Sequence, residues 1–203
     1  MTLLGRLRGT ELKTRLLNPH EEYWDRKLGV RGDLNDPARS NYYMPTSYAD
    51  LLKVFRRAHL GSNDVFVDLG SGMGRAVFLA SYLGVRKSIG LELVASLHEA
   101  AEANRRRGNW PNVEFHLGDA RETIFPEVTL LWMFNPFGPA IMEEMLAMLR
   151  EKRTGRLRII YLNPLHDDEL ERAGWLKKVE TIPKSNNFLG TRERFDASIW
   201  QSR

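Results

Sequence analysis

Short apolar runs alternate with helical patterns along this chain, and that alternation restricts its fold more than any other feature. "DVFVDL" is followed by a helical pattern from about Gly74 to Leu83, "KSIGLEL" by "ASLHEAAEANRRR", and "VTLLWMFN" by "AIMEEMLAMLREK". "VEFHLGD" stands between these units as a further strand, and "GRLRIIYLN" precedes the short helical "DDELERAG". Before them, "SYADLLKVFRRAHL" places Leu51, Leu52, Phe55 and Ala58 on one helical face, with Ser47 as its N-cap. Strands separated by helices give a mostly parallel sheet covered on both faces. Right-handed crossovers then align the loops after successive strands on one edge, where open α/β sheets bind ligands. "WLKKVETI" and "RFDASIW" have no helical pattern between them and predict a hairpin, hence one antiparallel strand near the C-terminus. The expected fold class is α/β: a Rossmann-like, doubly wound, mostly parallel seven-stranded sheet over residues 46–203. Residues 1–45, rich in turn formers after a mixed helical pattern, form an N-terminal helical extension.

Composition excludes several classes of function. The chain has no cysteine, so disulfides, thiolate metal sites and cysteine nucleophiles are ruled out. No apolar run approaches the ~20 residues needed to span a bilayer. The opening "MTLLGRLRGTELKTRLLN" makes a poor secretory signal, and a cytoplasmic location is the default expectation. The net charge of +4 comes entirely from residues 1–60, a surplus that suits either a solvated face or an acidic partner. Nucleic acid is a distant candidate, because the aromatic residues do not interleave with the basic ones. Oligomeric state is not legible.

The stretch "VFVDLGSGMGRAVFLAS", Val65 to Ser81, carries the most chemistry. A glycine-rich turn between a strand and a helix brings backbone close to a ligand and aims helix N–H groups at negative charge. A phosphate-binding P-loop needs Lys-Ser or Lys-Thr at its end, and neither is present. A dinucleotide fingerprint needs a different glycine spacing from Gly70, Gly72 and Gly74, and Asp68 would repel a pyrophosphate. S-adenosylmethionine fits better: an aspartate suits its ammonium, and loop N–H groups suit its carboxylate. Glu92 ends the second strand, placed to accept from both ribose hydroxyls. Asp119, after the third strand, is placed to accept from an adenine amino group. Helix capping is the alternative for both acids.

"VDLGSGMGR", "GLEL", "GDA" and "FNPFG" in this order resemble the motifs of class I S-adenosylmethionine-dependent methyltransferases. "TSYADLLKVFRRAHLGSNDVFVDLGSGMGRAVFLA" is similar to the core of the non-SET histone-lysine methyltransferases, and the chain also resembles small bacterial methyltransferases with an Asn-Pro-Phe-Gly motif. The resemblance runs from about Tyr23 to the final strand. It implies S-adenosylmethionine as cofactor, held by Asp68, Gly70, Ser71, Gly72, Gly74, Arg75, Glu92, Leu93, Asp119, Ala120 and Asn135. It also implies that Thr46, with Tyr42 and Tyr43, folds over the methionine end. The histone enzymes have a longer N-terminal bundle and a nucleosome-binding extension, so a histone substrate is not implied.

Methyl transfer needs a nucleophile positioned in line with the activated carbon and shielded from water. "FNPFG" is the candidate acceptor site: Asn135 offers a carbonyl to an incoming N–H, Pro136 stiffens the turn, and Phe137 stacks or walls off solvent. The motif partly matches the [DN]-P-P-[YF] signature of amino-group methyltransferases, although Asn-Pro is also a plain turn former. Trp24, Tyr42 and His166 are further acceptor-wall candidates, with the N-terminal extension as a lid. No metal site is expected, since "HDDE" reads as a helix start. The expected activity is N-methylation of a small-molecule or protein amine. The alternatives are O-methylation of a small metabolite dependent on His166, or cofactor binding without catalysis.

Overall fold

The computed structural model describes residues 19–31, 44–184 and 195–203. Helix α1 is Pro19–Leu28 and α2 is Tyr48–Arg57; the sheet domain then runs β1 Val65–Leu69, α3 Arg75–Tyr82, β2 Lys87–Glu92, α4 Ala95–Arg107 and β3 Val113–Leu117. It continues with β4 Leu130–Phe134, α5 Pro139–Lys152, β5 Arg158–Leu162, α6 Asp167–Arg172, β6 Leu176–Ile182 and β7 Ala197–Ser202. The seven strands form one sheet in the order β3-β2-β1-β4-β5-β7-β6. Neighbouring strands are parallel from β3 through β5, and β7 is antiparallel to both β5 and β6. This is the predicted fold class, hairpin included.

Strand alternation divides the core into two layers. Phe66, Leu130, Trp132 and Ile160 face one cluster, built with α1, α2 and α3. Val67, Leu131, Met133, Ile159 and Tyr161 face the other, under α5 and α6. All five residues of β1 are buried, as a central strand covered on both faces requires. Ser47 caps α2 as expected, accepting from the Asp50 N–H. Helix α1 is no loose appendage: Leu28 and Val30 are buried in the first cluster. No helix among the described residues is long and apolar enough to cross a membrane.

The β5–β7 pairing fixes where the C-terminal hairpin contributes. Because β7 runs antiparallel, its start lies at the edge where the parallel strands end, with Leu162 opposite Ala197. Phe195 and Asp196 therefore reach the ligand edge.

Candidate cofactor and acceptor site

The site grows from the first switch in strand order, where β1 is flanked by β2 and β4. After Asp68 and Leu69 the chain turns through Gly70, Gly72 and Gly74, all with positive φ (81°, 53° and 91°). A Cβ on Gly74 would lie 2.5 Å from the Phe115 ring, so a side chain is excluded by contact as well as by conformation. The loop is drawn over β2 by the Leu91 carbonyl, which accepts from the N–H groups of Gly70 (2.8 Å) and Ser71 (3.1 Å).

Glu92 has a structural task that its sequence position does not announce. One carboxylate oxygen accepts from the Gly72 N–H at 2.7 Å and the other from the Val94 N–H at 2.9 Å. The carboxylate thereby ties the glycine loop to the start of the α4 connection. Each oxygen keeps a second lone pair, so ribose hydroxyls can still donate to it. The Gly70 and Ser71 N–H groups are engaged by the Leu91 carbonyl, that of Gly72 by Glu92 and that of Gly74 by the Ser71 carbonyl, which corrects the expectation that they meet the ligand carboxylate. The donors left for that role are the first-turn N–H groups of α3, which have no partner within their own helix.

Asp68 is the opposite case. It is only 4% exposed, and no donor among the described residues reaches its carboxylate. Burial, and secondarily the charge of Glu92, push its pKa well above the ordinary value of 3.8. Ser71 Oγ is likewise buried with no hydrogen-bond partner. A buried carboxylate without a donor is costly unless a cationic, hydrogen-bonding group completes it. The ammonium of S-adenosylmethionine is such a group, so the residues present fit this cofactor.

On the far side, Leu93 and Leu117 follow and end β2 and β3 and are 66% and 54% exposed, an apolar ledge at the ligand edge. Asp119 ends the same edge, but its carboxylate accepts from the Arg121 N–H at 2.8 Å and is paired with the Arg121 guanidinium. That pairing lowers its pKa. Its carbonyl accepts from the N–H groups of Glu122 and Thr123, so it also closes a turn, and no helix follows for it to cap. Ala120 is buried in the second apolar cluster, and its side chain is core.

The acceptor side is built at the ends of β4 and β5. Pro136 approaches Gly70, its Cβ 3.7 Å from where a Gly70 Cβ would stand, and this brings the FNPFG turn against the glycine loop. Asn135 adopts a left-handed backbone (φ 41°), and its Oδ1 accepts from the Tyr161 hydroxyl at 2.9 Å. Tyr161 O in turn accepts from the His166 N–H at 3.3 Å. Burial, then Asp167 and Asp168, raise the Tyr161 pKa, so the phenol stays protonated and donates. Asn163, the second Asn-Pro, is left-handed too (φ 51°) and acts as the expected turn.

Several expected site residues sit elsewhere. The Phe137 ring is half-buried, resting against the cluster under α5 and α6. Phe134 and Phe195, with ring centroids 4.9 Å apart, form the aromatic pair at this edge instead. The antiparallel hairpin was the signal that could have found Phe195. Trp24 packs against Tyr48 and against Tyr82 at the far end of α3, and its indole N–H donates to His20. It is therefore a packing residue on the helix layer. The Arg75 guanidinium leaves the loop and binds Glu21 at 2.6 Å, Asp25 at 2.7 Å and the Thr46 carbonyl at 3.2 Å. Thr46 is thus held by its carbonyl to the guanidinium of Arg75. Tyr42 and Tyr43 lie outside the described residues.

Residues 36–188 match the family model of the histone methylation protein DOT1, three quarters of the chain. The chain belongs to the DOT1 family. It is 33% identical over 93 residues to the H3 lysine-79 specific histone-lysine N-methyltransferase of Cryptococcus neoformans, an alignment covering 41% of this chain and 14% of that protein. The protein of the same name from Caenorhabditis elegans is 42% identical over 65 residues, 30% of this chain and 7% of that one. The chain thus matches only a small part of the length of these relatives. Among solved structures, an Aquifex aeolicus SAM-dependent methyltransferase aligns with TM-score 0.64 at 14% identity, covering 84% of this chain and 95% of that one. A Salinibacter ruber RNA methyltransferase in complex with S-adenosyl-L-homocysteine aligns with TM-score 0.60 at 21% identity, covering 78% and 94%. Family and fold together place this DOT1-family chain among the class I S-adenosylmethionine-dependent methyltransferases.

Proposed function

We propose that the chain transfers methyl from S-adenosylmethionine to the nitrogen of a protein amine, a lysine side chain. The observation that carries this reading is Asn135, locked by backbone and by Tyr161 at the mouth of the site, with Pro136 against the cofactor loop. The cofactor supplies a methyl group already activated by a sulfonium. Asp68 and Ser71 would hold its ammonium, the first turn of α3 its carboxylate, Glu92 its ribose, and Leu93 with Leu117 the apolar face of its adenine. Asp119 would be available to the adenine amino group only by sharing its carboxylate with Arg121.

Asn135 Oδ1 has a lone pair beyond the one Tyr161 uses, and it would accept an N–H of the incoming neutral amine. That bond points the nitrogen's own lone pair away from Asn135 and toward the methyl, a positioning task that needs no general base. Phe134 and Phe195 would flank the aliphatic stem and exclude water. Residues 1–45 would close over the methionine end as a lid on the domain formed by 46–203. The relatives' activity, histone-lysine methylation, supports a lysine acceptor. The basic surplus of residues 1–60 suits an acidic docking surface around it.

The test is incubation with methyl-labelled S-adenosylmethionine and lysine-rich protein, followed by acid hydrolysis and amino-acid analysis. Methyllysine is expected, and it should vanish when substrate amines are acetylated. Label recovered only as an alkali-labile methyl ester or an alkali-stable methyl ether would move the reading to O-methylation.

A further inference from the structure

We infer that residues 19–31 are an external brace of the cofactor loop, with Arg75 and Asn104 as positioning residues that couple the docking of this segment to cofactor affinity. The inference rests on the reading of the glycine loop as the S-adenosylmethionine cradle. Neither Arg75 nor Asn104 needs to touch the ligand.

Two separate ties reach the loop, one on each side of Gly74. On the C-terminal side, Arg75 is the first residue of α3. Its guanidinium bridges Glu21 and Asp25 of α1 at 2.6 and 2.7 Å, reaches the Thr46 carbonyl, and stacks over the Tyr48 ring at 4.6 Å. The same two acids hold the entry of α2: Glu21 accepts from the Tyr48 N–H at 2.9 Å and Asp25 from the Tyr48 hydroxyl at 2.7 Å. The Arg75 side chain is only 13% exposed and that of Glu21 15%, so water screens the pair little.

On the N-terminal side of Gly74, the Met73 carbonyl accepts from the fully buried Asn104 amide at 3.2 Å. The oxygen of that same amide accepts from the Arg31 N–H at 3.0 Å, just beyond α1. One short segment thus grips residues 73 and 75, flanking a left-handed glycine that must hold its conformation for the first turn of α3 to face the ligand. Removing the grip leaves the loop its own internal bonds but frees the direction of that turn. A guanidinium is required at position 75, because a lysine ammonium cannot serve two carboxylates and a carbonyl in this planar arrangement.

The experiment is calorimetric titration of S-adenosylhomocysteine into wild type, Arg75→Lys, Asn104→Leu and the Glu21→Gln/Asp25→Asn double variant, well below each melting temperature. The dissociation constant should rise about tenfold in each variant, a typical coupling between sites. Reciprocity adds a readout on the unaltered protein: bound S-adenosylhomocysteine should slow hydrogen exchange of the amides in 19–31. Variants that melt lower yet bind with wild-type affinity would reduce the brace to a packing element, and so would unchanged exchange on binding. If a variant fails to fold, the exchange result on wild type decides alone. Wild type that binds no S-adenosylhomocysteine would instead sink the cofactor reading on which the brace depends.

Discussion

The Tyr161 hydroxyl donates to Asn135 Oδ1 across adjacent parallel strands, at 2.9 Å. The bond fixes a side chain whose backbone already sits in the left-handed region, which asparagine tolerates better than most residues. Asn135→Gly tolerates that backbone conformation and removes the side chain with its amide, leaving the Tyr161 hydroxyl without its acceptor. Turnover should fall by about 1.5–3 kcal/mol of transition-state stabilisation while S-adenosylhomocysteine affinity is unchanged. Steady-state kinetics beside a binding titration checks this, and normal kcat would make Asn135 a turn former only.

Glu92→Ala removes the acceptor proposed for the ribose and also frees the N–H groups of Gly72 and Val94. Cofactor affinity should fall by roughly 1.5–3 kcal/mol, and the apoprotein should melt at lower temperature because the loop loses its tie. A titration giving wild-type affinity would contradict the ribose placement.

Asp68 opposes folding in order to serve binding. Its carboxyl has a raised pKa in the folded protein, so the folded state keeps a proton that the unfolded chain has already released. Stability therefore falls as pH rises from the ordinary value of 3.8 through the folded pKa. Asp68→Asn should match wild type at acid pH and exceed it by roughly 1–3 kcal/mol near neutrality, the penalty for an unsatisfied buried group. Thermal melts across pH test the sign. Saturating S-adenosylhomocysteine should reverse the order, because only wild type gains the ammonium contact.

The strands, their order of helices and the terminal hairpin were legible because hydrophobic periodicity and turn residues are local signals. Gly70, Gly72, Gly74, Asp68 and Glu92 were legible as a constellation for a related reason: each lies at a strand end whose edge the alternation dictates. What the sequence did not disclose is which side chains are already engaged. Arg75 is among the residues expected to hold the cofactor, yet its partners Glu21 and Asp25 lie about fifty positions away and no spacing rule connects them. Phe134 and Phe137 are three positions apart yet pack against opposite apolar clusters, Phe134 next to Phe195, and no local signal announces that division.

Asp64 offers a contrast at the opposite edge of the sheet. It is buried, accepts from the Thr129 hydroxyl at 2.7 Å and the Gly61 N–H at 2.9 Å, and is paired with Arg158. Asp64→Ala should cost about 3 kcal/mol of stability, because the guanidinium is left beside the Ala58 and His59 carbonyls without its carboxylate. Cofactor affinity should be unaffected. Chemical denaturation with a parallel titration separates the two effects.

Ligand titration into the wild-type protein decides whether the edge formed by Asp68, the glycine loop and Glu92 is an S-adenosylmethionine site. S-adenosylhomocysteine and S-adenosylmethionine should each bind one per chain and raise the melting temperature, while NAD produces neither heat nor shift. Binding of NAD, or no binding of either adenosyl ligand, would contradict the account.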